Sequence, residues 1–136
     1  VNDNKPDVPV AGASVTVYEA YADGTEVKFR TASVVPPAGT DAKVFAVNRF
    51  LEASKIVEPG AQLLSVDMQG SRADLYFNAA FAQTVGSGDE QTLLEGLRRS
   101  LGQFPAVETI QVYVDGNPLE TLGNVELSEP LTVIRP

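Results

Sequence analysis

The chain has 136 residues, 43% hydrophobic and 21% charged, with a net charge of −8 and a pI near 4.4. This is the composition of one globular domain able to bury a core without staples. With only ten Lys and Arg, scattered along the chain, it lacks the basic density that phosphate backbones or anionic membrane surfaces need. There is no cysteine and no histidine, which removes thiol chemistry, the commonest general base and the usual transition-metal ligands.

In chain order, residues 1–12, VNDNKPDVPVAG, carry two prolines and no periodicity, and read as a flexible linker before a single domain over 13–136. Asn2, Asp3 and Asn4 are similar to the calcium-binding linker of cadherins, but the acidic partner motifs are missing and an Asn/Asp-rich loop is the plainer reading. From Ser14, alternation of Val15 and Val17 with Thr16 and Tyr18 predicts a strand, Asp23-Gly24 a hairpin turn, and Val27, Phe29 and Thr31 one face of the returning strand. Thr40 or Asp41 can cap a helix whose apolar face is Val44, Val47 and Leu51, flanked by Phe50.

After Pro59-Gly60 a second hairpin is expected, with Leu64, Val66 and Met68 facing the same way as Ala73, Leu75 and Phe77. The clearest helix follows. Ser87 and Glu90 have capping-box spacing, and Asp89 and Glu90 suit the positive end of the helix dipole. Leu93, Leu94, Leu97, Leu101 and Phe104 make one stripe, and Pro105 blocks its continuation. Ile110, Val112 and Val114 alternate in the next strand, Asp115-Gly116 turns the chain, and EPLTVIRP adds a last short strand. The expected class is α+β, in the order β-β-α-β-β-α-β-β. Two helices lie on one face of a mixed or antiparallel sheet, since each element has one apolar side to hide.

No constellation for catalysis emerges. Asp115, Asn117 and Glu120 lack EF-hand spacing, and Gly86-Ser87-Gly88 lacks the phosphate-loop lysine. The acidic pair Asp89 and Glu90 is explained by its helix terminus. No catalytic residue, cofactor or metal is expected. The candidate interaction surface is Tyr76 and Tyr113, at outward strand positions, with Arg98 and Arg99 on the polar side of the second helix. Tyr18 and Tyr21 are placed near an outer face as well.

The stretches PGAQLLSVDMQGSRADLYFNAAF (59–81) and GSGDEQTLLEGLRRSLGQFPAVETIQVYVDGNPLETLGNV (86–125) carry a family pattern. A strand ends in Asn before a small residue and Phe. A Gly-Ser-capped helix ends in L-x-Q-F-P-x-V, and a strand ends in V-D-G. In these the chain resembles the GerMN domain, the module named after the sporulation and spore-germination protein GerM; FLEASKIVEPG departs from the looser first half of the pattern. The resemblance implies a fold similar to ring-building motifs and no enzyme activity. It also implies an extracytoplasmic place in the bacterial envelope, as a lipoprotein or membrane-anchored protein whose anchor precedes this chain. The implied task is interaction with an envelope protein or with itself, with peptidoglycan as a further candidate, in sporulation, germination or envelope assembly. The alternative is a targeting or regulatory domain of a peptidoglycan hydrolase associated with an amidase. A calcium-dependent adhesion fragment is a third reading.

Overall fold

Glycine-bearing two-residue turns set the registers of the strands. In the computed structural model, which describes residues 13–82, 89–122 and 125–136, β1 (Val15–Asp23) and β2 (Glu26–Val34) pair antiparallel without a break, from Val15 opposite Val34 to Asp23 opposite Glu26. Gly24 takes the positive φ of 68° at the first turn position, which a two-residue hairpin of this kind requires. A second hairpin joins β3 (Leu63–Gln69) to β4 (Arg72–Phe77) across Gly70-Ser71. The linker expected over 1–12, with Asn2, Asp3 and Asn4, lies outside the described residues, as does Ser87 of the capping box.

Helix α1 (Ala42–Ser54) starts at Asp41, whose carboxylate accepts from the Lys43 and Val44 amides at 2.8 and 3.3 Å. It therefore satisfies two of the donors that a helix start leaves open. A short α2 (Ala79–Ala82) brings Phe81 onto Phe77, ring centroids 3.9 Å apart. Helix α3 (Asp89–Gly102) has Asp89 and Glu90 in its first turn, as expected. At its other end Arg135 donates to the Gly102 and Phe104 carbonyls at 2.9 and 3.0 Å, a cation placed where the helix dipole is negative.

Strand β5 (Thr109–Val114) lies parallel to β4, and the Asp115-Gly116 turn returns the chain to β6 (Asn117–Pro118). Both turn residues have positive φ, 53° and 80°, the type I′ signature of an Asp-Gly hairpin. Two further short strands, β7 (Thr121–Leu122) and β8 (Val125–Glu126), pair with each other, and β9 (Leu131–Thr132) pairs antiparallel with β5.

The α+β class and the order of the long elements are those expected. The strands divide, however, into a β1–β2 ribbon, a mixed sheet β3-β4-β5-β6 with β9 on β5, and the small β7–β8 pair. Helix α1 packs on β1, on α3 and on β3, and α3 also meets β1, so the helices join ribbon and sheet around one core. Gly96 makes the helix crossing possible. A Cβ there would stand 1.9 Å from the Phe50 ring, so the missing side chain is the space that Phe50 fills.

Three sequence expectations need correction. Leu64 is exposed and Leu63 is buried, because the β3–β4 register shifts between Leu63 and Ser65. Such a bulge inverts the facing of the residue before it. The α1 face is Ala42, Ala46, Val47, Phe50 and Leu51, with Val44 only half-buried at its margin. Small Ala46, which the periodicity argument passed over, lets the helix sit close. Finally, Tyr18 is buried rather than outward, on the side of β1 that meets the helices.

Candidate interaction site

The mixed sheet has an apolar face and a polar one. Ala73, Leu75, Phe77, Ile110 and Val112 are buried on the first. Alternation then places Arg72, Asp74 and Tyr76 of β4 on the second, with Thr109, Gln111 and Tyr113 of β5. Because β4 and β5 are parallel and in register, these residues stand in rows: Arg72 beside Thr109, Asp74 beside Gln111, Tyr76 beside Tyr113. Strand β3 extends the middle row with Asp67, opposite Asp74.

The tyrosine row is a stacked pair, centroids 4.7 Å apart and planes inclined by 24°. Such offset contacts hold two rings in one orientation and leave their outer edges available. Beside them Asp74 is buried, 3% exposed, and Arg72 holds it through two bonds, Nε to Oδ1 at 2.8 Å and Nη2 to Oδ2 at 3.1 Å. The fork geometry matches the carboxylate and fixes both groups. Arg72 is held above the ordinary arginine range by that hydrogen bond and by the Asp74 charge. The Tyr76 phenol is also pushed up, first by desolvation, then by the charges of Asp74, Tyr113 and Asp67. It therefore stays neutral throughout the physiological range and can donate a hydrogen bond.

Arg98 and Arg99 are elsewhere. The polar sheet face is turned away from the core to which α3 contributes Leu93 and Leu97, so the arginines and the tyrosines do not form one surface. Arg98 donates from Nε to the Thr132 carbonyl at 2.6 Å, and its own carbonyl accepts from Ile134, which straps the C-terminal segment along α3. Arg99 pairs with Glu95 one turn back at 2.8 Å and lies 5.4 Å from the Phe29 ring centroid. Of the four expected residues, the structure brings together only Tyr76 and Tyr113. Sequence reading missed Arg72 and Asp74. Their i, i+2 spacing on the tyrosine's own strand was the available signal.

A depression of about 560 Å³ is an open bay lined by Leu51, Glu52, Lys55 and the loop 57–61. No group of three or more acidic side chains is placed to hold a metal among the described residues.

The motif residues prove to be joints of the fold. Gln103 accepts from the Thr16 amide and donates to the Thr16 carbonyl, both at 2.8 Å, and so imitates a neighbouring strand along the free edge of β1. Asn78 accepts from the Gln62 amide at 3.1 Å and donates to the Gly60 carbonyl at 2.8 Å, which ties the start of β3 to the end of β4. Phe104 and Val107 are buried, and Asp115-Gly116 is the tight turn after β5.

A ribbon and a mixed sheet joined by two helices, with the signature residues at the joints, define a small α+β domain. The chain matches the model of the Germane family, sporulation and spore germination, over residues 16–120, and it belongs to that family. Its fold is that of the first GerMN domain of the sporulation protein GerM from Bacillus subtilis, at a TM-score of 0.70 and 16% identity, covering 88% of this chain and 97% of that one. The tandem GerMN domains of the same protein match at a TM-score of 0.71 and 16% identity, over 88% of this chain and 46% of that one. A provisionally assigned lipoprotein from Clostridium perfringens matches at 0.56 and 18% identity, over 88% of each chain. No curated protein matches the chain.

Proposed function

We propose that this domain is a non-catalytic interaction module of the bacterial cell envelope, held outside the cytoplasm, which docks an envelope protein on the polar face of its mixed sheet. One observation carries the proposal: the stacked, half-buried Tyr76 and Tyr113 lie beside a fixed Arg72–Asp74 pair on the sheet face turned away from the core. Aromatic rings and arginine are the side chains that interfaces favour: the rings give contact area at low entropic cost, and an arginine already held by its carboxylate has less freedom left to lose. Membership of a sporulation and germination family supports the setting, and likeness to a clostridial lipoprotein supports an anchored, extracytoplasmic place. No described helix is long and apolar enough to cross a membrane, so the reading relies on an anchor outside these elements. The absence of His and Cys from the whole sequence supports a role without proton-relay or thiol chemistry.

Crosslinking in envelope extracts tests this. The wild-type chain should capture a partner that Tyr113→Ala loses, while the variant keeps its cooperative melt. Equal capture by both, or binding of muropeptides in place of protein, would reject the protein-docking reading.

A further inference from the structure

The first hairpin presents a second, separate surface. Seven of the nine residues of β2 are exposed, and no described strand pairs with its outer edge. The phase of that edge follows from β1. Thr16 and Ala20 give their amides to Gln103 and Ser54, so they are not bonded across the hairpin. In an antiparallel pair bonded and non-bonded partners alternate. The residues opposite them, Ser33 and Phe29, and by the same alternation Val27 and Thr31, therefore direct their main-chain N–H and C=O groups outward. This row of donors and acceptors matches the backbone of another extended strand.

The side chains select which strand. We infer that the β2 edge pairs antiparallel with β2 of a second copy, across a two-fold axis at Thr31. In that register Thr31 faces itself, Phe29 faces Ser33 and Val27 faces Val35, all as hydrogen-bonded pairs. Among the described residues Val27 and Val35 are two of the three large hydrophobic residues left exposed, at 53% and 52%, and they stand four positions either side of Thr31. Arg30 then opposes Ala32, and Lys28 opposes Val34. Three other registers are penalised. An axis at Arg30 or Lys28 sets that residue against itself, and an axis at Phe29 sets Lys28 against Arg30 twice, a destabilising arrangement. The charges on this edge thus argue against those three, and the axis at Thr31 is the one that sets the two exposed valines against each other. Strand β3, the edge of the mixed sheet, lacks this capacity: its register breaks at Leu64, and Asn48 accepts from the Leu63 amide at 2.7 Å and donates to the Leu63 carbonyl at 3.0 Å.

The inference does not rest on the tyrosine face, and Tyr113→Ala should leave the pairing unchanged. Cysteine placement tests it in a chain that has none of its own. A bonded antiparallel pair holds its Cα atoms about 5.5 Å apart, within the reach of a disulfide. Under mild oxidation Thr31→Cys should therefore crosslink rapidly to a dimer. Ser33→Cys, with its two copies offset by four residues or about 13 Å, should not. Sedimentation supplies the second readout. Ala32→Glu should tighten the dimer and Ala32→Lys weaken it, about tenfold apart, since each faces Arg30 twice. Equal crosslinking at 31 and 33, or equal dimer affinity for the two Ala32 variants with both folded, would overturn the inference.

Discussion

The two hairpins look alike in sequence and meet different fates. Each is a pair of alternating strands closed by a two-residue turn and followed by a helix. Strand β4 becomes central, with β3 on one side and β5 on the other, and its Ala73, Leu75 and Phe77 are buried. Strand β2 remains an edge, and only Phe29 and Val34 of its nine residues are even half-buried. The difference lies in what comes next in the chain. After the second hairpin, α3 crosses over and delivers β5 parallel to β4. After the first, α1 lies against β1, and the inner edge of β1 is closed by side chains, Gln103 and Ser54. Period-2 patterning thus says that a strand has two faces; it does not say whether a neighbour arrives.

The largest expected effect sharpens this contrast. Leu75→Ala, at a fully buried position of β4, should cost about 2–5 kcal/mol in denaturant unfolding, as buried leucine truncations do. Val27→Ala in β2, measured at a dilution where the chain is monomeric, should cost less than about 0.5 kcal/mol, as exposed substitutions do. Comparable losses at the two positions would mean that the ribbon is buried in solution and that the two hairpins are equivalent after all.

Much of this architecture was legible. The leucine stripe of α3, the Asp115-Gly116 turn, the Asp41 cap and the outward phase of Tyr76 and Tyr113 follow from spacing alone. What was not legible depends on contacts distant in sequence. The bulge at Leu64 answers to the position of β4 and to the Asn48 amide, neither of which the local alternation encodes. Arg98 looked solvated because its partner, the Thr132 carbonyl, is 34 residues away. In the candidate site the aromatic half was found through its facing. The Arg72–Asp74 half was passed over, because a half-exposed arginine over a buried aspartate on a polar strand face reads as ordinary surface charge.

A smaller effect tests how the halves are joined. Gly96 lies inside α3, where glycine is about 1 kcal/mol worse than alanine by propensity. Gly96→Ala should nevertheless destabilise, by about 1–3 kcal/mol, since its Cβ would displace the Phe50 ring. Pairing it with Phe50→Leu should recover part of the loss, as a double-mutant cycle would measure. A stabilised Gly96→Ala would show that α1 and α3 are not in contact there, and the ribbon would then lose the support that distinguishes it from a free hairpin.

The smallest expected effect has the opposite sign and lies where ribbon and α3 meet. Ser100 is fully buried, its carbonyl accepts from the Gln103 side chain that serves β1, and its own Oγ has no partner. A buried hydroxyl without a hydrogen bond carries its full desolvation penalty, about 1–3 kcal/mol. Alanine removes that group and is the better helix former, while the lost volume is one oxygen atom. Ser100→Ala should therefore raise stability, by about 0.5–2 kcal/mol, with no change in the Gln103 contact to Thr16. The reading is checked by the midpoint of chemical unfolding at constant slope. A drop in that midpoint would mean that the hydroxyl is satisfied, by an ordered water or by a shifted backbone carbonyl. The junction of the first hairpin with α3 would then be a polar network rather than a packed apolar seam with one orphaned oxygen.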